Sequence, residues 1–274
     1  MLEAASGVRA LLLAAGSGSR LRPLSDGWPK SLMPIGGRPL LDIWLSDLWF
    51  SGVREVRVNV HHHQTEMLRF LDRPRYRDWV RPVVEEELLG TAGSVRANQE
   101  FLSAGTALLV HADNFCVCDL EAFFRFHLDN RPQPSVMTMM TFNTSSPESC
   151  GIVEVDEHGL VLEFHEKVNN PPGFRANGAV YLLEEEVIER ILARPQVTDF
   201  STGVVPEFLG RIATWHNKNV HHDIGTPAML CSVQEEHRGN RLGELWEPDE
   251  WTTWFAQHPI HVKIEGMYGR RGPS

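Results

Sequence analysis

ALLLAA at 10–15 is a continuous apolar run of strand length, and it opens an alternation that continues through the first half of the chain. Leu41, Trp44, Leu45, Leu48 and Trp49 recur at the spacing of one helix face, and Gly52 is placed to end that helix. EVRVNV (55–60) alternates as a strand, and a short helix is predicted over 65–71. RPVVEE (81–86) and ALLVHA (107–112) are further strands, with a helix between them at 94–100. Leu120, Phe123, Phe124 and His127 mark another helix before the strand SVMTMMTF (135–142). Strand and helix in alternation predict right-handed βαβ crossovers and a mainly parallel sheet, the α/β class.

The second half changes pattern. GIVEVDEHGLVLEFHEK (151–167) reads as two strands around a turn at 156–159, an antiparallel insertion. A strand at 178–183, a helix over 184–193 and a strand at 211–217 follow. The stretch 226–274 holds one helix and then a Trp-rich region with no assignable element. We therefore expect a main domain over 1–235 and a C-terminal extension over 236–274. Trp246, Trp251 and Trp254 in the extension fit either packing on that domain or a contact in a homo-oligomer.

Composition narrows the class of partner. A net charge of −10 argues against a nucleic-acid surface, so an anionic ligand must be held by local cations. No apolar run reaches the roughly 18 residues of a membrane span, and ALLLAA lacks the flanks of a signal peptide. A cytoplasmic location is the expectation, and Cys116, Cys118, Cys150 and Cys231 fit it as reduced thiols. Cys116 and Cys118 have no second close pair, which argues against zinc. The final GRRGPS reads as a loose tail.

The candidate chemistry lies in GSGSRLRPLSDGWPKSLMP (16–34), a glycine loop after a buried strand, followed by pinned cations. Bare glycine lets backbone N–H groups approach a phosphate. A dinucleotide fingerprint would need glycine at Leu21, and a Walker loop would need glycine where Pro29 precedes Lys30-Ser31. A solvated surface loop remains open on these residues alone. The longer string GSGSRLRPLSDGWPKSLMPIGGRPLL, however, resembles the opening signature of the sugar-phosphate nucleotidyltransferases, G-x-G-x-R-(L/M)-x-P followed by P-K-x-L-x-P. EEELLGTAG (85–93) resembles that family's base-recognition loop, and LLVHADN (108–114) its strand ending in an aspartate, with Ala112 where the family has glycine. GIVEVDEHGLVLEFHEK resembles its sugar-side hairpin. NGAVYLL (177–183) and HHDIGTP (221–227) are similar to its later motifs. The likeness covers about residues 8–235.

The resemblance implies a Rossmann-like, GT-A type sheet and a reaction joining an NTP to a sugar 1-phosphate with release of pyrophosphate. It assigns Ala14, Ala15, Gly16 and Gly18 to the nucleotide loop, and Glu85, Gly90 and Thr91 to the base side. Arg20 and Lys30 would brace the triphosphate, Lys167 the sugar phosphate, and Glu166, Gly151 and Asn177 the sugar. Asp113 and Asp223 would hold Mg²⁺, helix capping being the plain alternative. Arg22 reads as a solvated charge, and His61, His62 and His63 as a loop before a helix.

Base and sugar are separable questions. Guanine offers two adjacent donors to a carboxylate, and Glu85 holds the base-reading position, so GTP is expected, with UTP as the runner-up. Mannose 1-phosphate or a manno-heptose 1-phosphate accompanies GTP by resemblance. A catalytically silent NDP-sugar-binding subunit is the alternative of another class. Retention of Arg20, Lys30, Asp113, Lys167 and Asp223 together favours the enzyme.

Overall fold

The computed structural model describes Ala5, residues 7–237 and residues 246–268, with Tyr268 as backbone. The expected loose tail at 269–274 and residues 238–245 of the extension lie outside the described residues.

The first strand, β1 (Val8–Leu13), shows how the apolar runs build the molecule. Successive side chains of a strand point to opposite faces. Accordingly Ala10 and Leu12 enter one apolar core, while Leu11 and Leu13 enter another on the opposite side of the sheet. A strand buried on both faces reads as a continuous apolar run, as this one does.

Two short paired segments, β2 (Pro34–Ile35) and β3 (Arg38–Pro39), lead into helix α1 (Leu40–Phe50). Then come β4 (Glu55–Val60), α2 (Gln64–Leu71), β5 (Val80–Val84), α3 (Gly90–Ala97), α4 (Gln99–Leu102) and β6 (Thr106–His111). They are followed by β7 (Asn114–Cys116), α5 (Leu120–Arg125), β8 (Met137–Asn143), β9 (Gly151–Val155), β10 (Val161–Glu166) and β11 (Arg175–Leu183). The main body closes with α6 (Glu185–Leu192), α7 (Phe200–Gly203), β12 (Ile212–His216), β13 (His221–Asp223) and α8 (Pro227–Glu236). Two helices, α9 (Glu250–Phe255) and α10 (Pro259–Tyr268), complete the described chain.

The nine-stranded sheet has β10-β9-β11-β6-β1-β4-β5 as its path, with β8 beside β11 and β12 beside β8. β1 pairs in parallel with β4 and β6, as β4 does with β5 and β12 with β8, whereas β11 runs antiparallel to β6 and β8. The mainly parallel α/β sheet expected from the sequence is therefore present. The β9–β10 hairpin is not a separate sheet, because Ala176 of β11 registers with Ile152 of β9.

Three differences have local causes. β1 ends at Leu13 because Ala14 and Ala15 turn their N–H groups onto Asn59 Oδ1, at 2.6 and 3.1 Å. The helix expected at 94–100 is two helices, broken at Asn98, whose Nδ2 donates to Ser94 O at 2.9 Å and whose Oδ1 accepts from Arg57. A polar side chain that bonds the preceding turn competes with helix continuation. The unassigned Trp-rich region forms α9 and α10, and Trp246, Trp251 and Phe255 pack against the main core. No described helix is long and apolar enough to cross a membrane.

Candidate active site

Parallel strands of this kind gather their C-terminal ends along one crevice. β1 delivers the glycine loop there, and β6 delivers His111 and then Asp113. Asp223 arrives on β13, which pairs antiparallel with β7 so that Asp223 registers with Asn114. This three-residue ladder is what brings the two aspartates together from positions 110 residues apart in the sequence.

Lys30 joins them. Its Nζ donates to Asp113 Oδ2 at 2.7 Å and to Asp223 Oδ1 at 3.1 Å, and the residue is 7% exposed. Burial works against its charge, but Asp113 and then Asp223 outweigh it and hold the ammonium above its ordinary range. Burial likewise opposes ionisation of Asp113. Lys30 and His111 overcome that and keep its carboxyl below the usual range. Arg20 Nη2 donates to Asp223 Oδ2 at 3.1 Å, so cation and carboxylate alternate along the crevice. Gly225 makes room for that pair, since a Cβ there would lie 2.8 Å from both Arg20 Nη2 and Asp223 Oδ2. Arg22 instead pairs with Asp26 on the surface and takes no part in the cluster.

The glycine loop is tied down from both sides. Gly18 adopts φ 61°, a left-handed conformation that favours glycine. Its carbonyl accepts from Ser25 Oγ at 2.7 Å, and Ser25 O in turn contacts His63 Nε2 at 2.8 Å. Ala14 and Ala15 have spent their N–H groups on Asn59.

The segment expected to meet the base is closely enclosed. Glu85 is 5% exposed, and its Oε1 accepts from Asn59 Nδ2 at 3.0 Å and Ser94 Oγ at 2.6 Å. Its Oε2 has a longer contact of 3.4 Å from Leu89 N–H. Gly90 opens α3 and its carbonyl lies 3.0 Å from Ser94 Oγ, while Thr91 Oγ1 accepts from Phe200 N–H at 2.6 Å.

On the other side of the crevice, Gly151 registers with Glu166 across the β9–β10 hairpin. Lys167 follows with φ 51° and pairs with Glu166 Oε1 at 3.2 Å. Asn177 is turned into the bulge of β11, where Oδ1 accepts from Ala179 N–H at 2.9 Å and Nδ2 donates to the Tyr181 hydroxyl. Its polar atoms therefore serve the strand. His111, Asn59 and Ser94 had no place in the sequence reading. For His111 the signal was its position two before Asp113 in VHAD. Its Nε2 is buried without a hydrogen-bond partner among the described residues, and Asp113, Asp199, Lys30 and Glu166 are among the charges that act on the ring.

Two hard carboxylates that converge on one ammonium can also converge on a divalent cation, so the donor set fits Mg²⁺. The arrangement as a whole offers fixed positive charge, oxygen ligands and a glycine loop, the requirements of phosphoryl chemistry.

Comparison with known proteins agrees. The nucleotidyl transferase family profile matches residues 9–239. A mannose-1-phosphate guanylyltransferase of Mycobacterium tuberculosis is 30% identical over 227 residues, which are 80% of this chain and 62% of that protein. The catalytic subunit beta of the Drosophila melanogaster mannose-1-phosphate guanylyltransferase is 29% identical over 206 residues, 74% of this chain and 54% of the relative. A glucose-1-phosphate thymidylyltransferase of Streptomyces griseus is 29% identical over 187 residues, 68% of this chain and 52% of the relative. The chain thus spans between half and two thirds of the length of these curated relatives. Among solved structures, a Bacillus anthracis protein described as a glucose-1-phosphate thymidylyltransferase superposes with a TM-score of 0.75 at 20% identity, covering 86% of this chain and 98% of the other, and so shares the fold. With the profile matching most of its length, the chain belongs to the nucleotidyl transferase family.

Proposed function

We propose that the protein transfers a nucleoside monophosphate from an NTP, GTP by preference, to a sugar 1-phosphate of the mannose type, giving an NDP-sugar and pyrophosphate. The observation that carries this reading is the contact of Lys30 with both Asp113 and Asp223, beside the glycine loop. A sugar phosphate oxygen attacks the α-phosphorus, a new P–O bond forms, and the bond to the β-phosphate oxygen breaks as pyrophosphate leaves. The second pKa of a phosphate monoester is about 6, so the nucleophile is already ionised and no general base is required. The obstacle is repulsion between two anions, and positioned positive charge removes it.

Arg20 grips phosphate oxygens with its planar fork, and Lys30 acts as a point charge. Backbone N–H groups from Gly16 to Ser19 approach the phosphates, with Ala14 and Ala15 setting the loop's course. Asp113 and Asp223 would hold Mg²⁺, which supplies further neutralisation of the triphosphate. Lys167 meets the incoming sugar phosphate, and Glu166 the sugar hydroxyls beside Gly151. Glu85, Gly90 and Thr91 enclose the base. The guanylyltransferases among the relatives support GTP and mannose 1-phosphate, and the thymidylyltransferase keeps a pyrimidine nucleotide as the alternative. The absence of any disulfide among the four cysteines is compatible with a cytoplasmic enzyme.

The test is pyrophosphate release across four NTPs and a panel of sugar 1-phosphates, with and without Mg²⁺. Mg²⁺-dependent release with GTP and one manno-configured phosphate is the expected result. Release with a pyrimidine nucleotide would replace the base assignment, and silence across the grid would overturn the transfer reaction.

A further inference from the structure

Asn59 stands at the end of β4 and is 3% exposed. It makes four contacts with three different parts of the nucleotide half. Its Oδ1 accepts from Ala14 N–H at 2.6 Å and Ala15 N–H at 3.1 Å, at the root of the glycine loop. Its Nδ2 lies 3.0 Å from Glu85 Oε1 and 3.0 Å from Ser94 Oγ, on the base side. An amide does both, since its oxygen accepts from N–H groups while its nitrogen donates to a carboxylate. The partners thus also fix which way the amide points. The turn after β4 carries the same bracing outward. His61 Nδ1 contacts Glu85 O at 2.8 Å, and His63 Nε2 contacts Ser25 O at 2.8 Å.

We propose that Asn59 is a positioning residue for nucleotide selection, locking the Glu85 carboxylate and the glycine-loop backbone into one rigid unit. This rests on the nucleotide-binding reading above. With Oε1 holding two donors, Glu85 presents Oε2 alone to a base. That oxygen takes one ring N–H, either N1–H of guanine or N3–H of a pyrimidine. Because Leu89 N–H already contacts Oε2, the amino group of guanine is met by another acceptor. Selectivity therefore depends on where Oε2 is held, which Asn59 and Ser94 determine, and not on a two-oxygen grip.

Two variants separate the latch from the fold. Asn59→Asp keeps the acceptor for Ala14 and Ala15 but turns a negative oxygen toward Glu85. Ser94→Ala removes one donor from Oε1 within α3, where alanine is the best helix former. The readout is calorimetric binding of GTP, UTP and dTTP to the full chain, with melting temperatures alongside. Loss of a hydrogen bond to a charged group predicts that Asn59→Asp weakens the preferred nucleotide about tenfold or more. The ratio between preferred and other nucleotides should narrow in both variants. The melting temperature of Ser94→Ala should stay close to wild type, whereas Asn59→Asp should melt lower because it sets two buried carboxylates side by side. An unchanged ratio in folded Ser94→Ala and an unchanged affinity in folded Asn59→Asp would overturn the latch. If Asn59→Asp does not fold, the ratio in Ser94→Ala decides alone. Wild-type protein that binds none of the three nucleotides would instead overturn the nucleotide reading, and the latch with it.

Discussion

Lys30 donates to Asp113 across 83 residues of chain, at 2.7 Å, from a position almost closed to solvent. Such a contact orders three things at once: the loop after β1, the end of β6 and, through Asp223, the β7–β13 ladder. Replacing Lys30 by alanine leaves two carboxylates facing each other and removes the charge proposed to meet the phosphates. Turnover should fall by about a hundredfold or more, in line with the loss of one preorganised electrostatic group. Pyrophosphate release at saturating substrate checks this. Activity within a few-fold of wild type would remove Lys30 from the reaction.

Glu85→Gln tests the base side without changing shape. If the glutamine oxygen keeps the bonds from Asn59 and Ser94, its amide nitrogen takes the place of Oε2 and presents a donor where an acceptor stood. GTP turnover should then fall about tenfold or more, and the GTP-to-pyrimidine ratio should shrink. An unaltered nucleotide profile would show that Glu85 does not meet the base.

Much of this was legible in the sequence where chemistry is carried by contiguous runs. The two-faced burial of β1, the pinned loop at 16–34 and the aspartate after β6 all follow from residues that are neighbours in the chain. Asn59 was not legible, because EVRVNV alternates as a strand whether its fifth residue is a latch or a surface amide. What makes it a latch is the register of Leu13 with Asn59, a property of strand pairing. The β7–β13 ladder escaped for the same reason, since three residues give no periodicity. The enclosure of Glu85 also changes the chemical argument for guanine, because with Oε1 occupied by Asn59 and Ser94 the carboxylate no longer offers one oxygen to each of two adjacent donors. Trp246 and Trp251 illustrate a further limit. Aromatic residues in a short segment signal burial but not the surface that receives them.

Trp28 receives the end of α9 and the turn that follows it, through Trp254, Phe255 and His258. It is 3% exposed, lies two residues before Lys30, and its Nε1 donates to Leu32 O at 2.9 Å. Its ring stacks on Phe255 at 5.8 Å between centroids and meets His258 at 4.1 Å and Trp254 at 6.0 Å. The extension thereby braces the loop that carries Lys30. Trp28→Ala should cost about 3–5 kcal/mol of stability, as for other buried aromatics. Trp28→Phe should keep most of the packing while losing the bond to Leu32 O. Denaturant unfolding measures both, and a Trp28→Ala protein as stable as wild type would show that the extension does not rely on this contact.

The same extension is held by charge at its start. Both Asp249 oxygens take guanidinium hydrogen bonds from buried Arg73 at 2.9 Å, and Oδ1 also caps α9 by accepting from Thr252 N–H at 2.9 Å. Partial burial works against the charge, but the bonds from Arg73 and Thr252 outweigh it and hold the carboxyl down to about 2. An unfolded aspartate titrates near 3.9, so the folded state binds this proton later than the unfolded one. Its contribution is therefore complete above about pH 4 and is lost as pH falls toward 2, amounting to at most about 2 kcal/mol. Asp249→Asn should lower the melting temperature at pH 7. Between pH 5 and pH 3 the wild type should lose more stability than the variant, the excess being the part of the Asp249 contribution lost by pH 3. Parallel decline of the two proteins over that interval would show that the Arg73 bond leaves the Asp249 carboxyl where an unfolded aspartate has it.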